Sequence, residues 1–193
     1  ASLFEPLDYQ KAGTVYLATA DQEGNMVSLI QSNYMGFGSG VVIDGTGISM
    51  QNRGHTFKLD ETHHNKLEPR KKTYHTIIPG FLMQGEKPIG PFGIMGGFMQ
   101  PQAHVQVLMN LIDFQMNPQA ALDAPRFRWD EGLKVAVENS IDPSLIEALK
   151  EKGHDIVIEP RGSSFGRGQI ILKKGDHYEC GTETRCDGLI AYE

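Results

Sequence analysis

A chain of 193 residues, 39% of them hydrophobic and 22% charged, with a formal net charge of −6, is long enough to close one hydrophobic core and too apolar to stay disordered. The acidic balance excludes a nucleic-acid surface, because the longest basic run is Arg70-Lys71-Lys72, with Glu68 close beside it. Cys180 and Cys186 are too few for a disulfide framework and lack the company a zinc site needs, and no apolar stretch approaches the ~20 residues of a membrane helix.

Residues 1–13 show no periodicity and read as a leader or linker, ahead of one domain over 14–193. Two strand-like runs, 14–20 and 26–33, flank Asp21-Gln22-Glu23-Gly24-Asn25, whose Gly-Asn pair supplies the positive φ of a hairpin turn. Val41-Val42-Ile43 and Ile48 to Asn52 form two more short strands around Asp44-Gly45-Thr46-Gly47. Asp60 to Lys72 is polar and reads as a surface loop; Tyr74 to Met83 and Gly93 to Phe98 resume strand character.

A helix begins at Gln100-Pro101, where proline suits the first turn, and Val105, Leu108, Met109, Ile112 and Met116 recur at helical spacing as a core stripe. Asn117-Pro118 starts a shorter helix through Asp123. Asp142-Pro143 caps another that ends at Gly153, with Leu145, Ile146 and Leu149 inward. Ile156–Ile158, Gly168–Lys173 and Tyr178–Cys180 close the chain as strands. Strands, then helices, then strands imply a layered α+β domain, and a sheet sandwich flanked by helices is compatible with this order.

Gly13-Thr14-Val15-Tyr16-Leu17-Ala18-Thr19-Ala20-Asp21 and Gln31-Ser32-Asn33-Tyr34-Met35-Gly36-Phe37-Gly38-Ser39-Gly40 resemble the start of the small, catalytic subunit of a gamma-glutamyltranspeptidase. Gly93-Ile94-Met95-Gly96-Gly97, Asp123-Ala124-Pro125-Arg126-Phe127 and Arg185-Cys186-Asp187-Gly188 extend the resemblance over the whole chain. The resemblance implies a four-layer αββα sandwich of the N-terminal nucleophile hydrolase type, of which this chain is the small-subunit part. It implies that a precursor cuts itself before Thr14, so that the hydroxyl becomes the nucleophile and the new α-amine, with a reference pKa near 8, its base.

By the same resemblance Ser32 orients Thr14, and the Gly96 and Gly97 amides form an oxyanion hole. Without the family, Thr14 is an ordinary strand threonine and Gly96-Gly97 a strand-to-helix turn.

The family's substrate-binding places depart from pattern. They read Tyr34, Arg53, Thr56, His75 and Thr76, and the aspartate that would pair a substrate ammonium is missing. Arg53 prefers a carboxylate, which suits acyl groups such as glutaryl and is similar to the cephalosporin (glutaryl) acylase-like branch. The expected substrates are thus gamma-glutamyl or glutaryl amides, and the rival reading is a non-catalytic homologue.

Gly36-Phe37-Gly38-Ser39-Gly40 imitates a dinucleotide loop, but the strand Val41-Val42-Ile43 follows where a helix should. His55, His63 and His64 read as surface histidines and His104 as a helix-face one, so no metal and no cofactor is expected. The implied partner is the large subunit of the same precursor; without it the chain should expose apolar surface and form oligomers. Unpaired thiols point to the cytoplasm, with a periplasmic or secreted location the alternative, since any export signal would lie ahead of the large subunit.

Overall fold

The computed structural model describes residues 13–192, so residues 1–12 of the expected leader lie outside the described residues. Strands β1 (Thr14–Ala20) and β2 (Met26–Ser32) form the expected hairpin, in register from Thr14↔Ser32 to Ala20↔Met26. At its tip Gly24 takes φ 91°, and the Asp21 carboxylate accepts hydrogen bonds from the backbone and side chain of Asn25. β3 (Val42–Ile43) and β4 (Ile48–Ser49) pair as a small ribbon, shorter than the sequence implied.

β5 (Gly80–Gln84) and β6 (Lys87–Met95) lead into α1 (Met99–Ile112) and α2 (Pro118–Asp123). The expected strand from Tyr74 begins only at Gly80, and the one from Gly93 is instead the end of β6. β10 (Arg167–Lys174) and β11 (His177–Thr182) complete a four-stranded antiparallel sheet in the order β11-β10-β6-β5.

Alternation along β6 sets the layers. Phe92 and Ile94 join Ile170 and Leu172 of β10 on one face, where they pack on Met99, Ala103, Val107 and Leu111 of α1 and on Ala121 and Leu122 of α2. Gly93 lies on the other face, and a Cβ there would sit 2.3 Å from the Tyr16 ring. The β1–β2 hairpin therefore packs on the sheet as a second β layer, through Tyr16, whose hydroxyl bonds Ser28 at 2.8 Å. Helices, sheet and hairpin make three successive layers, α, β and β.

The α1 core stripe is corrected by the structure. Val105, Met109, Ile112 and Met116 are exposed, and the buried ridge is Met99, Ala103, Val107 and Leu111. The helix is apolar on two faces, and spacing alone cannot say which one meets the sheet. His104 is buried rather than facing outward, bridging Gln100 O and Ile78 O.

A second sheet, unread in the sequence at its first two strands, has the order β7-β8-β9 from β7 (Phe127–Glu131), β8 (Lys134–Glu138) and β9 (Asp155–Glu159). β8 and β9 run parallel, joined by α3 (Pro143–Glu151). Asp142 caps α3 by accepting from Ser144 N, and Ile146 buries against Val135 and Val137. Leu145, expected inward, is exposed.

Two of the family-like motifs meet in one buried network. Arg126 donates to Glu183 at 2.8 Å, and Arg185 donates to Glu138 at 2.6 Å and to Glu183 at 2.7 Å, with all four side chains sealed from solvent. Their terminal NH groups also donate to the carbonyls of Leu122, Ala124, Phe165 and Gly166, so the charges are neutralised and largely hydrogen-bonded, with Arg126 Nε the one donor of the two guanidinium groups left without a partner among the described residues.

Candidate active site

The hairpin register places Thr14 directly opposite Ser32, and the Thr14 hydroxyl donates to Ser32 Oγ at 2.9 Å. Ser32 Oγ also accepts from the Tyr34 amide at 2.9 Å, which fixes the serine rotamer. Tyr34 sits at φ 74°, a left-handed conformation that costs a bulky residue roughly 1–2 kcal/mol. Its ring lies over the Arg53 guanidinium, 4.7 Å from centre to carbon. Thr14 itself is 8% exposed.

Gly96 and Gly97, at φ 147° and 60°, turn the chain from β6 into α1, with Met99 N bonded to Gly96 O and Gln100 N to Gly97 O. This is the strand-to-helix turn of the simpler reading, and it also lines a cavity of about 950 Å³ together with Thr14. A side chain at Gly96 would press to 3.1 Å of the Gly166 Cα. Gly166 is in turn held by Arg126, which donates to its carbonyl at 2.9 Å. The buried charge network thus backs the glycine pair through one residue.

The far wall of the cavity comes from β7, β9 and the start of β10, residues that sequence reasoning missed. Gln102 and Gln106, one turn apart on α1, each bond both the amide and the carbonyl of a β7 residue: Trp129 for Gln102, Phe127 for Gln106. Two side-chain amides therefore stand in for a neighbouring strand at the β7 edge and fix Trp129 on the cavity wall. Arg128 beside it pairs Asp130 at 2.6 Å and Glu159 at 2.9 Å. Those partners hold the Arg128 pKa above its ordinary value, and Arg128 holds that of Asp130 below its own. Tyr74 and Phe98, stacked at 5.9 Å, close another side. None of these residues is near Thr14 in sequence, and the one available signal was the strand-like alternation of Phe127 to Asp130.

The five expected substrate contacts separate. Tyr34 lines the cavity. Thr56 lines a smaller adjoining one of about 740 Å³, with His55, His63 and His64, and its hydroxyl donates to Arg53 O. Arg53 is 2% exposed and donates to Thr76 Oγ1 at 2.8 Å, and Thr76 is 1% exposed. Burial pulls the Arg53 pKa below its ordinary value, while Tyr34 partly opposes the shift. His75 is exposed; desolvation and then the nearby Arg53 charge lower its pKa. Arg53 and Thr76 are thus packed behind Tyr34.

Cys180 and Cys186 are free thiols, both pushed up in pKa chiefly by burial. Among the described residues no helix is long and apolar enough to cross a membrane.

Comparison with known proteins joins these features. The family model described as Gamma-glutamyltranspeptidase matches residues 5–192. A glutathione hydrolase-like YwrD proenzyme of Bacillus subtilis is 44% identical over 73% of this chain and 28% of its own length. An oxamate amidohydrolase proenzyme of Klebsiella pneumoniae is 34% identical over 92% of this chain and 35% of its own. The chain therefore spans about a third of those relatives or less. The crystal structure of cephalosporin acylase from Bacillus halodurans is 60% identical, with a TM-score of 0.85 over 92% of this chain and 34% of that one. The chain belongs to the gamma-glutamyltranspeptidase family, and its fold is the small-subunit part of the αββα sandwich of N-terminal nucleophile hydrolases.

Proposed function

We propose that this chain is the nucleophile-bearing part of a self-processing amide hydrolase or acyltransferase that acts through Thr14. The observation that carries the reading is that Thr14, its hydroxyl held by Ser32, lines one cavity with the Gly96-Gly97 turn. Thr14 Oγ attacks the Gly13 carbonyl, and the Gly13–Thr14 amide breaks to leave an ester and a free Thr14 amine. Water hydrolyses the ester to the Gly13 carboxylate and the free hydroxyl, and the amine becomes the proton acceptor. The same hydroxyl then attacks a substrate amide, the glycine amides stabilise the oxyanion, and an acyl-enzyme passes its acyl group to water or to an amine.

The remainder of the precursor is the proposed partner. Val15, Leu17, Val27 and Leu29 alternate along β1 and β2 on the face turned away from the sheet and are all exposed, a stripe fit for burial by further chain. The proenzyme names of two relatives and the chain's short share of their lengths support this. Alone, the chain is expected to self-associate, and its two free thiols favour a reducing, cytoplasmic setting.

Among acyl groups, a carboxylated one without an amine, such as glutaryl, fits better than gamma-glutamyl. Both acids of the cavity wall, Asp130 and Glu159, are engaged by Arg128 and leave little for a substrate ammonium. The 60% identity to a protein titled cephalosporin acylase supports the same choice.

The experiment is to produce the whole precursor and follow it by intact mass. Release of a fragment beginning at Thr14 is expected, with Thr14→Ala blocking release and lowering amidase turnover by about four orders of magnitude or more. An uncut chain whose activity ignores Thr14→Ala would establish a non-catalytic homologue. Faster cleavage of gamma-glutamyl-p-nitroanilide than of the glutaryl compound would reverse the choice of acyl group.

A further inference from the structure

We propose that Arg167 is the guanidinium that recognises a substrate carboxylate in the Thr14 cavity; this rests on the amide-cleaving reading above. The sequence pointed to Arg53 for that task. Arg53, however, is sealed at 2% exposure, spends its NH1 group on Thr76 and is roofed by the Tyr34 ring.

Arg167 is placed otherwise. It opens β10, where its register partner is Met95, the residue before Gly96. It also follows Gly166, the residue against which Gly96 packs. It lines the same cavity as Thr14, Gly96 and Gly97.

No carboxylate among the described residues pairs with it, and the internal group it acts on is the Cys186 thiol, whose burial-raised pKa its charge partly offsets. Its Nε is buried without a hydrogen-bond partner among the described residues. The other cavity arginine, Arg128, takes both Asp130 and Glu159, so formal charge on the wall balances while neither carboxylate is paired with Arg167. A guanidinium left in this state beside a nucleophile offers a fork of donors to an incoming carboxylate, the anion whose planar geometry it matches. The same chemistry could be presented by the acyl half of the amide or by its leaving amine, and the two are separable by substrate.

The test uses the processed enzyme from the whole precursor and three anilides: glutaryl-4-nitroanilide, pentanoyl-3-carboxy-4-nitroanilide and uncharged pentanoyl-4-nitroanilide. The wild type should prefer one carboxylated compound, glutaryl if the acyl half is read and carboxy-nitroanilide if the amine half is. In Arg167→Gln that preference in kcat/KM should fall about ten- to hundred-fold, mostly through KM. Added guanidinium should restore part of it. Where Arg167→Gln fails to release Thr14, Arg167→Lys serves: it keeps the charge without the fork, and a roughly three- to tenfold loss of preference is expected.

A preference unchanged within about twofold in the variant that processes, or no preference in the wild type, overturns the assignment. Turnover of the uncharged anilide without carboxylate preference would sink Arg167 alone. Failure of a processed enzyme to turn over any of the three would sink the parent reading with it.

Discussion

The two outer β positions of this molecule use the same kinds of residue and end in opposite states. On the sheet face under α1, Phe92, Ile94, Ile170 and Leu172 meet a complementary helix ridge and are nearly solvent-free. On the outer face of the hairpin, Val15, Leu17, Val27 and Leu29 stay between 39% and 50% exposed. α1 repeats the contrast within one helix, buried along Ala103 and Val107 and open along Val105 and Met109. Apolar pattern sets which residues want cover; whether cover comes from the same chain is decided by what else is folded beside it.

That contrast can be broken from the sealed side first. Arg126→Met alone should cost about 3–5 kcal/mol, since Glu183 would keep a charge it shares only with Arg185. Arg126→Met with Glu183→Leu should recover much of the loss, because Arg185 and Glu138 remain a balanced pair. Chemical denaturation of the two variants gives the comparison. Equal loss in both would show that packing around Gly166, not charge balance, holds the region.

Tyr16 marks the boundary between hairpin and sheet, and burial pushes its pKa from 10.0 to about 12. Below pH 10 the phenol is protonated in folded and unfolded chains alike and its contribution is intact. As pH rises through 10 towards 12 the unfolded chain loses the proton while the folded one keeps it, so stability falls by up to about 3 kcal/mol. Denaturation midpoints measured at about pH 9 and about pH 11.5 should show this loss, and Tyr16→Phe should lack that share of it.

Gly93→Ala should cost about 1–3 kcal/mol, because the added Cβ would lie 2.3 Å from a Tyr16 ring atom and the hairpin would have to lift. A neutral result by thermal melting would mean the hairpin is loosely seated. The smallest effect belongs to the open face: Leu17→Ser should change the stability of the isolated chain by less than about 0.5 kcal/mol. A larger loss would mean that this face is already covered by self-association, which sedimentation of the same sample would reveal.

The hairpin itself was legible from its two alternating runs and the Gly24 turn, while the Thr14–Ser32 contact was expected only from the family resemblance; the register Thr14↔Ser32 is what brings the two hydroxyls together. α2, α3 and β9 to β11 were legible from Asn117-Pro118, Asp142-Pro143 and the apolar runs, since caps and short-range alternation are local signals. β7 and β8 escaped notice: Phe127 to Asp130 mixes aromatic and charged residues, and its free edge is completed by Gln102 and Gln106 from a helix more than twenty residues away.

The sequence supplied the nucleophile candidate, its hydroxyl partner and the oxyanion role of the glycine pair only through its resemblance to a family; its residue types by themselves gave a strand threonine and a strand-to-helix glycine turn. Tertiary structure decided which α1 stripe is buried, that Arg53 is enclosed and that Arg167 faces the cavity. It also showed that Arg126, Glu138, Glu183 and Arg185 form one neutral cluster behind Gly166. Those outcomes depend on which distant strands and helices come to lie against one another, and long-range packing leaves no local periodicity from which to read them.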